Sequence, residues 1–258
     1  MIAKIVQAGD PVLRQRAEPL APALIQRAST QQLIELMRET MRDAPGVGLA
    51  APQVGESVRL IVVEDRPEYL KDVPAERLAE RERTPVPFHV LINPTLTKRD
   101  PDTALFFEGC LSLRGFVALT PRARTVRVDG LNERGEPVSV TASGWYARIL
   151  QHELDHLDGR LYVDRMAPRS LMTQANHARH WQELSIPDVC AGLGIADVGP
   201  RWPTRTSQVS WSYERRPRRE SSSSRLRDAS SGRDASIAVP PILLLTLAGR
   251  QIARSASA

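Results

Sequence analysis

The residues best suited to chemistry lie in the stretch 151–159, which reads QHELDHLDG. If this stretch is helical, His152 and His156 are four residues apart, so both imidazoles project from one face and can bind a single metal ion. Glu153 then lies beside that ion, where a carboxylate can accept a proton from water in metal-assisted hydrolysis. The pattern predicts a catalytic metal site, although two His and one Glu also fall at this spacing by chance.

A third ligand is needed, because catalytic sites of this kind use three protein ligands and leave one position open. Taken alone, Cys110 is typical of a buried structural thiol, since free cysteine is among the most buried residue types. The histidine pair favours another interpretation, because Cys with two His is a known catalytic ligand set. We therefore predict Cys110 as the third ligand. We interpret Cys190 as inert, and His177 and His180 as surface residues rather than a second metal site.

A glycine-rich segment, residues 46–55, is the next candidate. Gly46, Gly48 and Ala51 imitate a dinucleotide-binding fingerprint, but a true fingerprint follows a strand and opens a helix. Here a helix precedes the segment, and Pro52 would interrupt the helix that should follow. Two interpretations stay open: an ordinary turn, or a loop whose backbone comes close to a bound group.

A buried helix must carry the two histidines, and the surrounding patterns indicate how it is held. Residues 145–150 continue the helical pattern, and Gly159 marks its expected end. We also predict helices over 29–41, with Ser29 or Thr30 as N-cap, and over 170–184. Strands are expected at 59–64 and 90–94, an edge strand and turn at 95–102, a hairpin at 125–130 and 137–142, and a strand or extended segment at 160–166. The charged, proline-rich stretch 65–89 is expected to leave the folded domain as a solvent-exposed segment, which is called the excursion below.

Charge and composition divide the chain into two parts. Residues 201–258 hold 11 Arg and 4 acidic residues, whereas residues 1–200 hold 24 basic and 26 acidic ones, so the net charge of +5 comes from the tail. We predict a catalytic domain over 1–190 and an Arg/Ser/Pro-rich, disordered tail over 191–258. No specific nucleic-acid partner is expected for the folded part.

The ends of the chain bear on its location. The first residues lack both the apolar core of a signal peptide and the composition of a transit presequence, which predicts a cytoplasmic protein. Residues 237–247 are apolar but too short to span a bilayer, so no membrane partner is expected. Two cysteines are too few for a disulfide framework.

Three segments together resemble the signature motifs of the peptide deformylase family: residues 46–53 (GVGLAAPQ), 108–112 (EGCLS) and 151–156 (QHELDH). They occur in that family's order and approximate spacing, over about residues 5–166, and residues 143–149 are most similar to the animal-mitochondrial type branch. The resemblance implies a compact α+β fold with antiparallel β-sheets around a central metal-binding helix. It also implies a metal-dependent hydrolase that removes the N-formyl group from the N-terminal methionine of newly made polypeptides and releases formate.

The resemblance assigns roles to individual residues. Three of them would bind one divalent ion, usually Fe²⁺ in this family, with Zn²⁺, Ni²⁺ or Co²⁺ able to replace it: Cys110, His152 and His156. Glu153 would be the general acid/base, and Gln53 with the backbone N–H of Leu111 would stabilise the oxyanion. The candidates for contact with the peptide are Val47, Gly48, Phe106, Trp145 and Ile149.

The expected partners are N-formylmethionyl nascent polypeptides, with transient association with the ribosome as a further candidate. Two departures from the family bear on peptide selectivity. Val117 stands where many bacterial members carry an arginine near the groove, and the excursion 65–89 is longer than in compact members.

Three other functions stay open at this point. A metallopeptidase could use the same two His and Glu on a helix. A structural metal domain would have no use for Glu153. An RNA-associated protein could act through the Arg-rich tail by salt-sensitive contacts with phosphate.

Overall fold

The computed structural model describes residues 1–196 and 212–215. Nine strands occur in this part of the chain: β1 (Gly48–Ala50), β2 (Leu60–Asp65), β3 (Val86–Arg99), β4 (Thr103–Cys110), β5 (Leu113–Ala123), β6 (Thr125–Leu131), β7 (Pro137–Ser143), β8 (Met172–Thr173) and β9 (Ser212–Arg215). The α-helices are α1 (Pro22–Ile25), α2 (Ala28–Asp43), α3 (Ala75–Glu80), α4 (Gly144–Leu157), α5 (Gln174–His180) and α6 (Ile186–Leu193). Short 3₁₀ helices lie at Pro11–Arg14, Ala51–Val54, Pro67–Tyr69, Tyr162–Asp164 and Pro168–Ser170.

The strands form two antiparallel sheets. The larger has six strands in the order β1-β2-β3-β6-β7-β9, and the smaller has three in the order β4-β5-β8. The hairpin predicted at 125–130 and 137–142 is confirmed as β6 and β7, and the strand predicted at 59–64 as β2. The α+β fold with antiparallel sheets is confirmed as well.

Apolar side chains of β2 point alternately to the two faces of the larger sheet, and a helix packs on each face. Ile61 and Val63 belong to the apolar cluster that contains α4, whereas Leu60 and Val62 belong to the cluster that contains α2. Successive side chains of a strand point to opposite faces, so a continuous apolar run is expected where both faces are covered. The sheet therefore holds α4 firmly from one side. The smaller sheet has its own cluster, in which Val189 and Cys190 of α6 pack on β4 and β5.

The strand predicted at 90–94 is confirmed, but the turn predicted at its end is wrong, because β3 runs through Asn93 and Pro94. Although β3 lies between β2 and β6, its residues 95–99 pair only with β6 among the described residues, as expected for the predicted edge strand, and the chain then turns into β4. Asn93 has a left-handed backbone with φ of 52°, and the register with β6 shifts between Ile92 and Thr95. The Asn93 side chain accepts from the Leu20 N–H and donates to the Leu20 carbonyl, both at 2.8 Å. A bulge fixed by these bonds replaces the predicted turn.

The helix predicted over 29–41 is confirmed as α2, but its start is not. The helix begins at Ala28 with Arg27 as N-cap, whereas Ser29 or Thr30 was the predicted cap. The Thr30 hydroxyl instead donates to the Leu24 carbonyl at 2.8 Å. The predicted cap residues therefore lie in the first turn of the helix, two or three residues after the observed N-cap.

Two predictions near the C-terminal side of the metal helix need correction. The strand or extended segment expected at 160–166 contains a 3₁₀ helix, Tyr162–Asp164. The helix expected at 170–184 is the shorter α5, preceded by β8 and followed by the additional helix α6.

The excursion of residues 65–89 is not solvated throughout, contrary to the prediction. It contains a 3₁₀ helix and α3 before it enters β3. Arg83 forms a bidentate ion pair with the fully buried Asp65, from Nε to Oδ2 at 2.8 Å and from Nη2 to Oδ1 at 2.9 Å. The Arg81 guanidinium lies 5.2 Å from the centre of the Trp145 ring. The end of the excursion is thus part of the packed structure next to α4.

The predicted boundary at residue 190 falls inside α6, which spans Ile186–Leu193. Four residues beyond that boundary, Ser212–Arg215, form β9 and pair with β7. Residues 197–211 and 216–258 lie outside the described residues, and with them most of the predicted tail and its apolar stretch 237–247. In the part of the chain that the structure describes, no helix has the length and apolar character needed to cross a membrane.

Candidate active site

The first residue of α4, Gly144, is closely packed against Glu82. Gly144 has φ of 60°, and a Cβ there would lie 2.4 Å from the Glu82 Cβ and 2.7 Å from the Glu82 carbonyl oxygen. Glycine is needed here both for the left-handed backbone and for this close approach. The buried apolar residues of the helix then pack on the larger sheet: Tyr146, Ala147, Ile149, Leu150, Leu154 and Leu157. The directions of the polar side chains on the remaining face are therefore fixed.

The structure brings the three predicted metal ligands together. One ligand atom from each of Cys110, His152 and His156 lies within 4.8 Å of the other two. Cys110, the last residue of β4, has its Sγ 3.3 Å from His156 Nε2. Because one thiolate and two imidazoles suit zinc and ferrous iron alike, this donor set fits a divalent transition-metal ion.

A buried carboxylate that we did not predict orients His152. Glu108 Oε2 lies 3.0 Å from His152 Nδ1, so the carboxylate can accept that N–H and leave the Nε2 lone pair for a metal. Arg148 donates to Glu108 Oε1 at 2.6 Å, and Arg122 makes two bonds of 2.9 Å to the same carboxylate. Burial opposes ionisation of Glu108, but these cations outweigh it and hold the pKa of its carboxyl well below the usual range.

Arg122 links this carboxylate to a second one. The Arg122 guanidinium is 1% exposed and also pairs with Asp155. Asp155 in turn receives two bonds of 2.9 Å from Arg165. Buried charges are tolerated only when each is paired and hydrogen-bonded, and this chain of ion pairs meets that condition.

Glu153 lies beside the metal-binding group, as predicted. Its side chain is buried, and its Oε2 has no hydrogen-bond partner among the described residues. Burial raises the pKa of the Glu153 carboxyl to about 7. A carboxyl group in this state can both accept and release a proton near neutral pH.

Gly48 is in direct contact with Glu153. A Cβ on Gly48 would lie 2.3 Å from Glu153 Oε1, 2.7 Å from its Cδ and 2.9 Å from its Cγ. The glycine-rich segment forms β1 and a 3₁₀ helix rather than an ordinary turn, and its close backbone approach is to the Glu153 carboxylate; the approach to a bound group stays a prediction. The glycine allows β1 to pass directly over the Glu153 side chain.

We predict that Gly48→Ala lowers the free energy of unfolding by about 1–3 kcal/mol, the usual cost of an extra methyl group in a packed site. In a Glu153→Ala background the overlapping atoms are absent, so the same substitution should cost under about 0.5 kcal/mol. Urea denaturation of the wild type, both single variants and the double variant measures this difference. An equal cost in both backgrounds would contradict the contact as the cause.

Gln53 and the turn after Cys110 close another side of the site. Gln53 is 1% exposed, and its Oε1 accepts from the Ala50 N–H at 2.9 Å. That bond turns its Nε2 towards Ser112 Oγ at 3.2 Å and Cys110 Sγ at 3.7 Å. The backbone of Leu111 lies in the same turn, between Cys110 and Ser112, and lines the cavity.

A cavity of about 720 Å³ opens onto these groups. Of the residues predicted to contact the peptide, Val47, Gly48, Trp145 and Ile149 line it. Phe106 does not. Its ring packs under the Arg148 guanidinium at 5.2 Å, and the neighbouring Phe107 lines the cavity instead. Adjacent residues of a strand face opposite sides, so the two phenylalanines point away from each other, and contact of Phe106 with the peptide stays a prediction.

An antiparallel α+β fold with a thiolate and two imidazoles around one point, and a buried carboxylate beside them, defines a metal-dependent hydrolase. Residues 2–171 match the family model described as polypeptide deformylase. The chain therefore belongs to the peptide deformylase family, and its activity is the removal of the N-formyl group from nascent peptides.

Individual relatives agree with this assignment. The chain is 48% identical over 191 residues to peptide deformylase 1A, chloroplastic, of Solanum lycopersicum, covering 74% of this chain and 67% of that protein. It is 40% identical over 166 residues to the mitochondrial peptide deformylase of Homo sapiens, covering 64% and 68%. Among solved structures, a class I type b peptide deformylase from Acinetobacter baumannii bound to Met-Ala-Ser matches with a TM-score of 0.58 at 32% identity, covering 64% of this chain and 99% of that one. The family predicted from the three motifs is confirmed, although the plant protein is more similar to this chain than the human one.

Proposed function

We propose that Glu153 performs the proton transfers of deformylation beside a divalent ion held by Cys110, His152 and His156. The single observation that carries this proposal is the convergence of three donor atoms within 4.8 Å next to a buried glutamate with an unpaired oxygen. When bound there, such an ion supplies Lewis acidity, which polarises a water molecule or a carbonyl oxygen.

Glu153 has two tasks in this scheme. Its Oε2 accepts a proton from the water that attacks the formyl carbon. The C–N bond then breaks, formate leaves, and Glu153 returns the proton to the departing amine. Both transfers use one carboxyl group, whose buried Oε2 has no hydrogen-bond partner among the described residues and so can accept and then release the proton. Gly48 supports this role by giving the side chain the space it occupies.

The negative charge that develops on the formyl oxygen needs donors already in place. We assign this task to Gln53 Nε2 and to the backbone N–H of Leu111. The bond from the Ala50 N–H to Gln53 Oε1 supports the assignment, because it fixes which end of the amide faces the metal ligands.

Gln53→Ala should lower kcat by about a hundredfold, the typical loss of one oxyanion donor, with metal content unchanged. Gln26→Ala is a matched control, because Gln26 is an exposed glutamine far from the site residues in sequence, and its amide donates to the Arg134 carbonyl at 2.8 Å. Steady-state kinetics with a formylmethionyl peptide measures both. Full turnover by Gln53→Ala would contradict the assigned donor.

We propose that the methionine side chain of the substrate enters beside Trp145 and Ile149 of α4, with Val47 at the rim. The size of the cavity and its apolar wall support this placement. The related Acinetobacter enzyme, solved with Met-Ala-Ser bound, supports a peptide as the occupant. Val117, where an arginine was expected in many bacterial members, is 9% exposed and lies in the apolar cluster under α6, so it offers no charge to the peptide.

The metal we propose is Fe²⁺, as the resemblance implies, and Zn²⁺, Ni²⁺ or Co²⁺ would suit the same donors. Metal analysis after anaerobic purification, paired with formate release from formyl-Met-Ala-Ser, tests the proposal. Formate release without internal cleavage supports a deformylase acting at this site. Internal cleavage of the peptide would favour the metallopeptidase instead.

Three further assignments are proposals of the same kind. We propose N-formylmethionyl nascent polypeptides as the physiological substrates, with transient ribosome association. We retain residues 1–190 as the core of the catalytic domain, to which the end of α6 and β9 add residues 191–193 and 212–215. We also retain the cytoplasm as the location and the animal-mitochondrial type branch as the subfamily. The names of the plant and human relatives, chloroplastic and mitochondrial, favour an organelle as the alternative, and imaging of the full-length tagged chain separates the two locations.

A further inference from the structure

Gln7 and Ala8 bond to the turn that follows Cys110. The Ala8 N–H donates to the Ser112 carbonyl at 2.7 Å, and Gln7 Nε2 donates to the Leu111 carbonyl at 3.0 Å. Both donors stand 104 positions before their acceptors in the chain. The turn that holds the proposed metal ligand is therefore fixed by a segment to which the sequence assigned no role.

The main chain around Gln7 is itself anchored. Its carbonyl accepts from the Asp10 N–H at 3.1 Å, and this bond closes a turn in which Gly9 has φ of 107°, a value that favours glycine. On the other side, the Val6 N–H donates to the Gln53 carbonyl at 3.0 Å. The exposed side chain of Gln7 thus extends from a backbone that is held at both ends.

The bond from Gln7 fixes the peptide group that joins Leu111 to Ser112. A trans peptide group is planar, so its carbonyl and its N–H point in opposite directions and turn together. The carbonyl of this group is the one bonded to Gln7. Its N–H, that of Ser112, donates to Cys110 Sγ at 3.4 Å. Rotation of the plane would break both bonds, so Gln7 reaches the thiolate through one rigid group, although it is not among the residues that line the cavity.

We propose that Gln7 is a positioning residue of the active site, which acts on the Cys110 thiolate through the peptide group that joins Leu111 to Ser112. A hydrogen bond to a ligating sulfur draws electron density from that sulfur, and so tunes the metal site. The Gln7 bond keeps the Ser112 N–H on the sulfur and keeps the turn that carries the Leu111 N–H in place. This inference rests on the proposed function, in particular on Cys110 as a metal ligand.

Gln7→Met tests this inference, because methionine has about the length of glutamine but no N–H to donate. The full-length chain is loaded with Co²⁺, and two quantities are measured: the wavelength of the thiolate-to-cobalt charge-transfer band, and kcat for formyl-Met-Ala-Ser. The band should move to longer wavelength, since a sulfur that has lost its hydrogen bond gives up electron density more readily. We expect kcat to fall by about tenfold, the lower end of what an outer-shell partner of a metal site contributes. The wavelength of the band does not depend on the fraction of folded protein.

Gln31→Met is the matched control. Gln31 Nε2 donates to a nearby carbonyl, that of Ile25 at 2.8 Å, and to a distant one, that of Glu133 at 2.9 Å. Gln7 Nε2 does the same, since it also donates to the Ile5 carbonyl at 3.2 Å. Gln31 and its two partners are not among the residues that line the cavity, so the band and kcat of this variant should equal those of the wild type.

An unchanged wavelength or an unchanged kcat in Gln7→Met overturns the inference, because the bond from Gln7 would then not act on the reaction through the thiolate. Equal changes in Gln31→Met overturn it as well, since they would not depend on contact with the turn after Cys110. Each of these results leaves the proposed function standing. A wild-type chain that shows no thiolate band, or releases no formate, overturns the proposed function and the inference together.

Discussion

Glu153→Gln is expected to keep its metal and to lose deformylation by about a hundredfold to ten-thousandfold, the range that a general acid/base contributes. The amide has nearly the shape of the carboxyl group, so it fits the space beside Gly48 without new contacts. It cannot accept a proton from water and return one to the amine. Because Glu153 is not among the three ligands, the donor set for the metal is complete in the variant. Formate release under saturating substrate, with metal content measured on the same sample, gives both quantities.

Glu56→Gln provides the matched control for this variant. Glu56 is exposed and follows the 3₁₀ helix that carries Gln53, so the same chemical change is made nearby without touching the site. Its turnover should equal that of the wild type. Unaltered turnover in Glu153→Gln would refute the assigned role and favour a site in which the metal is only structural.

The histidine pair, Cys110 and Glu153 could be predicted because their chemistry restricts residue type and spacing together. A helix places residues four apart on one face whatever the rest of the chain does, so His152 and His156 needed only the helical pattern around them. The position of Cys110 relative to the two histidines could not be predicted from helix geometry, since Cys110 lies on β4 of the smaller sheet and not on α4. It was found because the donor set was incomplete without it.

Glu108, Arg122 and Arg148 were missed for a physical reason. Their bonds join residues 14 to 40 positions apart in the chain, and local patterns report only neighbours along the chain. Charged residues in a strand are normally expected to be exposed to solvent. Only the folded structure shows that these charges neutralise one another inside the protein. The one available signal was the acidic residue two places before Cys110.

The wrong predictions about the fold also share one cause. Asn93 and Pro94 carry the residue types of a turn, yet tertiary bonds from Asn93 to Leu20 turn the irregularity into a bulge inside β3. The charges of the excursion indicated solvent, yet Arg81 uses its charge to pack on an aromatic ring. In both cases a partner distant in sequence decided the outcome.

Arg122→Met is expected to lower the free energy of unfolding by about 3 kcal/mol, the lower end of the range for breaking a buried ion pair. The methionine fills much of the volume but leaves Glu108 and Asp155 without the cation between them. The cost should stay at the lower end because Glu108 keeps Arg148 and Asp155 keeps Arg165. Urea denaturation at a fixed, saturating metal concentration measures the change, since bound metal adds to apparent stability.

Arg127→Met is the control for this variant, because it also removes an arginine from an ion pair, but an exposed arginine instead of a buried one. Arg127 pairs with Asp129 at 3.4 Å on β6 of the larger sheet, and its side chain is 39% exposed. Ion pairs in contact with water are worth at most about 1 kcal/mol, so Arg127→Met should be almost neutral. If the two variants lose equal stability, the buried pairs are not what stabilises this region. If only Arg122→Met is destabilised, the ion pairs that hold Glu108 against His152 also hold the smaller sheet against α4, because they connect β4 and β5 to that helix.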